Sequence, residues 1–267
     1  MLMDSQALTG FSRFIGTSIG LLTGNRGPAA VISFPLFLRR WCIPSVAALT
    51  MVFSFFLPLR AGERGSRLLI ENFHPCGEPA TNIPCNWFQN RKDVSMFTLP
   101  RENDNYFLRV ATSGGCTTIG RGYAYSTARY PLLSWRWRVY KLPEGGNEYR
   151  RETNDSGAGV YVVFKGNLKL NHVLKYIWST TLPVGTTTPS PFNPRTKFIV
   201  LQSGISRAGA WVSESVNVYD DYRRLFDGEP PIVEAIAILS DADNTLSTAM
   251  ADYDDFEISG PVEGSGR

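Results

Sequence analysis

The hexapeptide Ser134-Trp135-Arg136-Trp137-Arg138-Val139 constrains the fold more than any other part of the chain. Successive side chains of a β-strand point to opposite faces, so Trp135, Trp137 and Val139 share one side and Arg136 and Arg138 the other. A helix would set the two tryptophans about 200° apart and bury neither face cleanly. The same alternation sets Val160, Val162 and Phe164 against Tyr161 and Lys165. It also sets Leu174, Tyr176 and Trp178 against Val173, Lys175 and Ile177. Short β runs separated by turn residues continue along the chain: 68–73, 105–112, 122–127, 132–140, 159–165, 173–180, 196–202, 210–215, 233–240 and 253–259. Gly 24, Pro 17 and 12% aromatic residues agree, because helices disfavour the first two and strands favour aromatic rings. The expected fold is an all-β antiparallel β-sandwich, jelly-roll-like, with its tryptophans facing the core.

One segment departs from this pattern. Val218 to Asp227 reads as a short α-helix: Asn217 can cap it, and Val218, Tyr219, Tyr222, Leu225 and Phe226 form one apolar face. Asp220 and Asp221 in the first turn and Arg223 and Arg224 near the last complement the helix dipole. Gly228 and Pro230-Pro231 are expected to stop it, and its apolar face is expected to plug one end of the sandwich.

A chain of 267 residues can bury a full core and leaves little room for a second large domain. We divide it into a leader, residues 1–61, and one sandwich domain, residues 62–267. Within the leader, Ile43 to Leu59 is apolar and uncharged, follows Arg39-Arg40, and ends at Leu59-Arg60-Ala61-Gly62, the layout of a secretory signal. The alternative is an uncleaved membrane anchor helix, for which the apolar run Pro28 to Leu38 argues. The expected location is thus periplasmic or secreted, or an exported domain anchored to the inner membrane, with membrane contact only through the N-terminal segment. Cys76 and Cys85 bracket a short loop and form either a disulfide of an oxidising compartment or two free thiols; Cys116 is left odd in both cases. The net charge of +3 with no lysine-arginine block gives nucleic acid no electrostatic footprint.

Several motifs together carry a resemblance. Asn154-Asp155-x-x-Ala158-Gly159-Val160-Tyr161-Val162-Val163-Phe164, Leu174-Lys175-Tyr176-Ile177-Trp178-Ser179 and Asn217-Val218-Tyr219-x-Asp221-Tyr222-Arg223-Arg224-Leu225-Phe226 come first. Ser240-Asp241-x-Asp243-Asn244-Thr245 and Ala251-Asp252-Tyr253-Asp254-Asp255 follow. In this order they resemble an exported bacterial family known as domain of unknown function 3047, over about Leu68 to Ile258. The family has no settled reaction to carry over. The terminal run Ala251 to Ile258 is similar to the closing strand of galactose-binding-like jelly rolls, which often bind glycans; a shared fold does not settle function.

If the alternating strands are neighbours, their second faces gather Arg136, Arg138, Tyr161 and Lys175 into a basic, partly aromatic surface for an anionic ligand. Trp178 joins this candidate set, with Asn154 and Asp155 from a strand-flanking loop. The competing reading is a solvated or cross-strand-paired face, usual for a half-exposed sheet. Asp241, Asp243 and Asp252, with Asn244, offer calcium-compatible oxygens, although Leu246 stands where an EF-hand loop needs glycine and β runs flank the segment. The competing reading there is an Asx-type turn. Neither His74 nor His172 lies in a Gly-x-Ser-x-Gly context, and no catalytic residue is assigned. The expected function is an exported binding module, with an envelope or extracellular carbohydrate as favoured ligand. An envelope polysaccharide hydrolase or lyase on the same scaffold, or a structural envelope partner, are the alternatives. Converging carboxylates in a deep cleft favour the enzyme; a shallow aromatic platform favours binding.

Overall fold

The structure is a computed structural model that describes residues 66–74, 83–166 and 171–261. The leader with its cut near Ala61 and the predicted disulfide partner Cys76 lie outside the described residues. In chain order the strands are β1 (Arg67–Glu71), β2 (Trp87–Gln89), β3 (Phe97–Thr98), β4 (Arg101–Glu102), β5 (Asn105–Tyr106), β6 (Leu108–Ser113), β7 (Ile119–Tyr125) and β8 (Leu132–Lys141). They continue as β9 (Ala158–Phe164), β10 (His172–Ser179), β11 (Thr187–Pro189), β12 (Thr196–Ser203), β13 (Val212–Asn217), β14 (Val233–Leu239) and β15 (Thr248–Ser259). A helix, α1 (Val218–Phe226), separates β13 from β14.

Two sheets face each other. The first is six-stranded, in order β13-β8-β15-β6-β3 with β1 also on β15; the second is seven-stranded, in order β11-β12-β10-β9-β14-β7-β2. β4 and β5 form a separate two-stranded hairpin. The sandwich is antiparallel except that β10 and β12 run parallel. Residues 180–195 make this pairing feasible, because a parallel neighbour needs a crossover long enough to return the chain, and β11 folds back on β12 within it.

The predicted inward faces are the ones that pack. Trp135, Trp137 and Val139 from the first sheet meet Val160, Val162, Phe164, Leu174, Tyr176 and Trp178 from the second, all at 0–2% exposure. The Trp135 and Trp137 rings meet edge to face at 5.3 Å, and Trp137 lies 6.0 Å from Trp178. Such aromatic pairs add to their area burial because ring edges and faces carry opposite partial charge. Trp178, placed in the candidate binding set, is therefore a core residue, 1% exposed, with Nε1 donating to Gly204 O at 2.9 Å. Alternation fixes which side it takes, and that side is the interior.

Asn217 caps α1 as expected, its side chain accepting from Asp220 N. The helix ends at Phe226, one residue before the predicted end at Asp227. Asp227 itself takes the left-handed conformation at φ 53°, and its N–H bonds Arg223 O. Val218 and Tyr222 are the buried residues of α1, with Tyr222 4.5 Å from Phe164, so the helix closes the end of the sandwich where β9 finishes and β10 begins.

Candidate functional site

β8 and β15 pair in a register that sets Arg138 opposite Asp252 and Arg136 opposite Asp254, and β6 brings Arg109 opposite Asp252 from the other side. Opposite charges directly across a sheet attract, and here they form a continuous network on the outer face of the first sheet. Arg109 grips Asp252 with two bonds, Nε to Oδ1 at 2.7 Å and Nη2 to Oδ2 at 2.9 Å. Arg138 donates to Asp252 from Nε and to Glu102 from Nη2, both at 2.7 Å. Arg136 donates to Asp254 at 2.6 Å and pairs with Asp255 at 2.8 Å, while Asn105 donates to Asp254 at 2.7 Å. The register slips between Asp254 and Glu257, and Asp255 takes φ 54°. That extra residue is a β-bulge, and it turns two consecutive carboxylates toward one arginine.

Aromatic rings complete the face. The Arg138 guanidinium lies 4.5 Å from the Trp211 ring centre, 5.0 Å from Phe107 and 5.3 Å from Tyr140. Arg136 lies 4.6 Å from Trp211. Guanidiniums favour such flat contacts because they are planar and weakly hydrated. Asp252 and Asp254 are wholly buried beneath, whereas the side chains of Arg109 and Arg136 keep 27% and 29% of their surface and Asp255 keeps 50%. Hydrogen bonding to Asp252 raises the Arg109 pKa further, and burial pushes the Asp254 carboxyl above the usual carboxylate range. Burial, then the Asp252 charge, raises the Tyr140 phenol, so Tyr140 stays a neutral hydroxyl.

Tyr161 and Lys175 do not join this face. β9 and β10 belong to the second sheet and β8 to the first, so the predicted surface of Arg136, Arg138, Tyr161 and Lys175 divides between the two outer faces. Alternation tells in from out but not which sheet a strand enters. Lys175 is 1% exposed, with Nζ 3.8 Å from Asp241 and 5.1 Å from both the Tyr161 and Phe198 rings. Gly159 leaves room for it, since a Cβ there would come within 2.9 Å of Lys175 Cε.

The loops beside Lys175 carry a second polar cluster. Asp155 is fully buried and accepts from Asn244 N at 3.2 Å, Thr245 N at 2.7 Å and Thr245 Oγ1 at 2.6 Å, with Asn154 buried beside it in the chain. Asp241 accepts from Ser156 N at 2.8 Å. Glu148, also fully buried, accepts from Ser156 Oγ at 3.0 Å and Ser179 Oγ at 2.6 Å. Ser156 and Ser179 carry no sequence signal for this role; only the loop fold at the Lys175 end joins them. Asp155 and the Arg136–Asp255 pair therefore lie in separate clusters.

Burial pushes the Glu148 carboxyl above its ordinary value against the opposing serine bonds. The folded state then holds this proton more tightly than the unfolded state, so stability falls as pH rises from the unfolded value through the folded one. Glu148→Gln should remove that part of the slope, read by urea unfolding between pH 4 and 8. The variant should gain stability relative to the parent as pH rises.

A model of the family described as protein of unknown function (DUF3047) matches residues 85–257. The chain belongs to that family. The motifs quoted above fall almost wholly inside the matched span. No curated protein matches the chain. Among solved structures it is similar to the family 11 carbohydrate-binding module of a cellulosomal cellulase of Clostridium thermocellum, at 10% identity and TM-score 0.40, covering 76% of this chain and 99% of that one. A family 30 module from the same organism gives 8% identity and TM-score 0.37, covering 64% and 85%. Endoglucanase 3 of Trichoderma harzianum gives 10% identity and TM-score 0.34, covering 62% and 83%. Binding modules and an enzyme resemble the chain at a similar level, so the site is read from its own residues.

In this DUF3047 chain the predicted calcium ligands Asp241, Asp243 and Asp252 do not assemble. Asp252 belongs to the arginine network of the first sheet, Asp241 faces Ser156 and Lys175, and Asp243 bonds the Cys116 thiol. Among the described residues no group of three or more histidine, cysteine or acidic side chains could hold a metal ion. The 240s turn is closed by Ser247 N donating to Ala242 O at 3.2 Å, and Asp155 from another loop caps Asn244 and Thr245. Cys85 is disulfide-bonded, whereas Cys116 is in no disulfide. Burial first, and the Asp243 carboxylate second, push the Cys116 thiol far up. Since the thiolate is the reactive form, Cys116 should react with iodoacetamide at pH 8 about ten-fold or more slowly in the native protein than in urea.

Proposed function

We propose that the domain is an exported glycan-binding module and that the outer face of the first sheet is its binding surface. The observation that carries this reading is the set of Trp211 and Tyr140 rings beside Arg109, Arg136 and Arg138, whose guanidiniums are held in place by buried Asp252 and Asp254. Sugars present apolar C–H faces to aromatic rings and pairs of hydroxyls to planar donors and acceptors, and fixed side chains bind them without losing much side-chain entropy. The face is a platform on a sheet. Its exposed carboxylates, Asp255 and Glu102, are tied to Arg136 and Arg138. Export is part of the proposal, supported by the signal-like run Ile43 to Leu59 and by the oxidised state of Cys85.

The test is native affinity electrophoresis of the protein in gels containing neutral and acidic extracellular polysaccharides. Retardation by at least one of them is expected. Unchanged mobility throughout a broad panel contradicts the proposal.

A further inference from the structure

A pocket of about 570 Å³ opens at the helix-bearing end of the sandwich, away from the arginine network, lined among others by Lys165, His172, Arg195, Tyr222, Pro231 and Ile232. This volume lies within the range of about 300–1,000 Å³ typical of small-molecule sites. Backbone bonds brace its rim: Lys165 N donates to Ile232 O at 2.9 Å, and Val173 N donates to Arg195 O at 2.9 Å. On the inner wall His172 Nδ1 shares a 2.7 Å hydrogen bond with the Tyr222 hydroxyl, and the imidazole stacks on Phe226 at 4.3 Å with the planes 5° apart. One nitrogen of a rigidly held ring is thereby engaged, leaving Nε2 as the other polar atom.

The charges around this pocket do not balance. Among the described residues neither Lys165 nor Arg195 forms an ion pair, and Lys197 reaches only the Phe226 ring, at 5.9 Å. Of the acids on the surrounding elements, Asp221 pairs with Arg224 and Glu229 with Arg223, while Glu234, beside the pocket, is held by a neutral amide. Glu234 accepts from Asn171 at 3.2 Å, Asp221 from the Tyr176 hydroxyl at 3.0 Å and Arg224 at 2.6 Å, and Glu229 from the Tyr219 hydroxyl at 2.7 Å. Burial, and then the charges of Arg195 and Lys197, lower the basicity of His172, so both cations are felt at the pocket wall. Uncompensated cations beside the apolar surface of Tyr222, Pro231 and Ile232 suit a ligand that is anionic at one end and apolar along one side.

We propose that this pocket is a second binding site, for a small acidic sugar whose carboxylate or phosphate is held by Arg195 and Lys165. That the pocket takes an anion rests on its own residues; that a sugar carries the anion rests on the carbohydrate reading above. The two parts fail separately under the following experiment.

The His172 ring signals of the full chain are followed by NMR during titration with inorganic phosphate, galacturonate, galactose, and sodium chloride at matched ionic strength. The chain has two histidines, His74 and His172, so His74→Asn assigns the signal. Phosphate and galacturonate should shift His172 saturably and raise its apparent pKa, as a bound anion offsets Arg195 and Lys197; galactose and chloride should not. Arg195→Ser and Lys165→Ser, both at exposed positions, should each weaken phosphate about ten-fold or more. No saturable shift with phosphate, or the same shift with chloride, overturns the site. Saturation by phosphate but not by galacturonate overturns the acidic-sugar assignment, whatever the outcome of affinity electrophoresis on the other face.

Discussion

Asp252→Ala should lower the unfolding free energy by about 3–5 kcal/mol, the cost of removing one partner from a buried charge network. Asp252 has no exposed surface and receives bonds from Arg109 and Arg138, the latter with a side chain only 10% exposed. Without the carboxylate, Arg138 keeps Glu102 and the Phe107 and Trp211 rings but carries an under-compensated charge against a buried sheet. Arg109, more hydrated, loses less. Urea unfolding of the variant and its parent reads the difference, and added calcium or chelator should move neither curve. A loss below 1 kcal/mol would mean that the network is a solvated surface pairing of little worth.

The second large effect is expected at Asp155. Its carboxylate gathers donors from Asn244 and Thr245 on a loop 89 and 90 residues away in sequence. A hydrogen bond to a charged group contributes about 1.5–3 kcal/mol net, and a buried donor left unmade costs a further desolvation penalty. Asp155→Ala should therefore destabilise the domain by about 3–5 kcal/mol, allowing for non-additivity within one cluster. Asp155→Asn should recover only part of this, because an amide nitrogen cannot accept from Thr245 N. Native-state hydrogen exchange adds a local reading: the Asn244 and Thr245 amides should lose protection in Asp155→Ala, while those of the distant helix change only with global stability.

Both acids were recognisable in the sequence as chemically notable, and both proved to be structural tethers. The reason is a limit on local pattern. Alternation in β8, β9 and β10 gave each side chain its face, because strand geometry is local and the tryptophans require a dry side. The cap at Asn217 and the dipole-matched charges gave α1 for the same reason. Sheet membership is not local: the division of Arg136 and Arg138 from Tyr161 and Lys175 follows from which strands pair, through long connections. The strands β2, β3, β4 and β11 span two or three residues, too few to show a period. The bulge that brings Asp255 beside Asp254, and the placement of Trp211 and Arg109 over the same face, depend on register. Trp211 lies inside a predicted β run, yet nothing nearby marks it as a surface ring. His172 stands just before a predicted β run, and only the fold sets it among Lys165, Arg195 and Tyr222.

Whether the aromatic rings on the arginine face hold a sugar is read from Trp211→Ala. Its affinity for whichever polysaccharide retards the parent protein is measured by calorimetry beside that of Tyr140→Ala, with melting curves for both. A loss of about ten-fold or more is expected for Trp211→Ala, as for an aromatic anchor at the centre of a binding face, with the fold retained. Affinity within two-fold of the parent in both variants would contradict sugar binding by these rings.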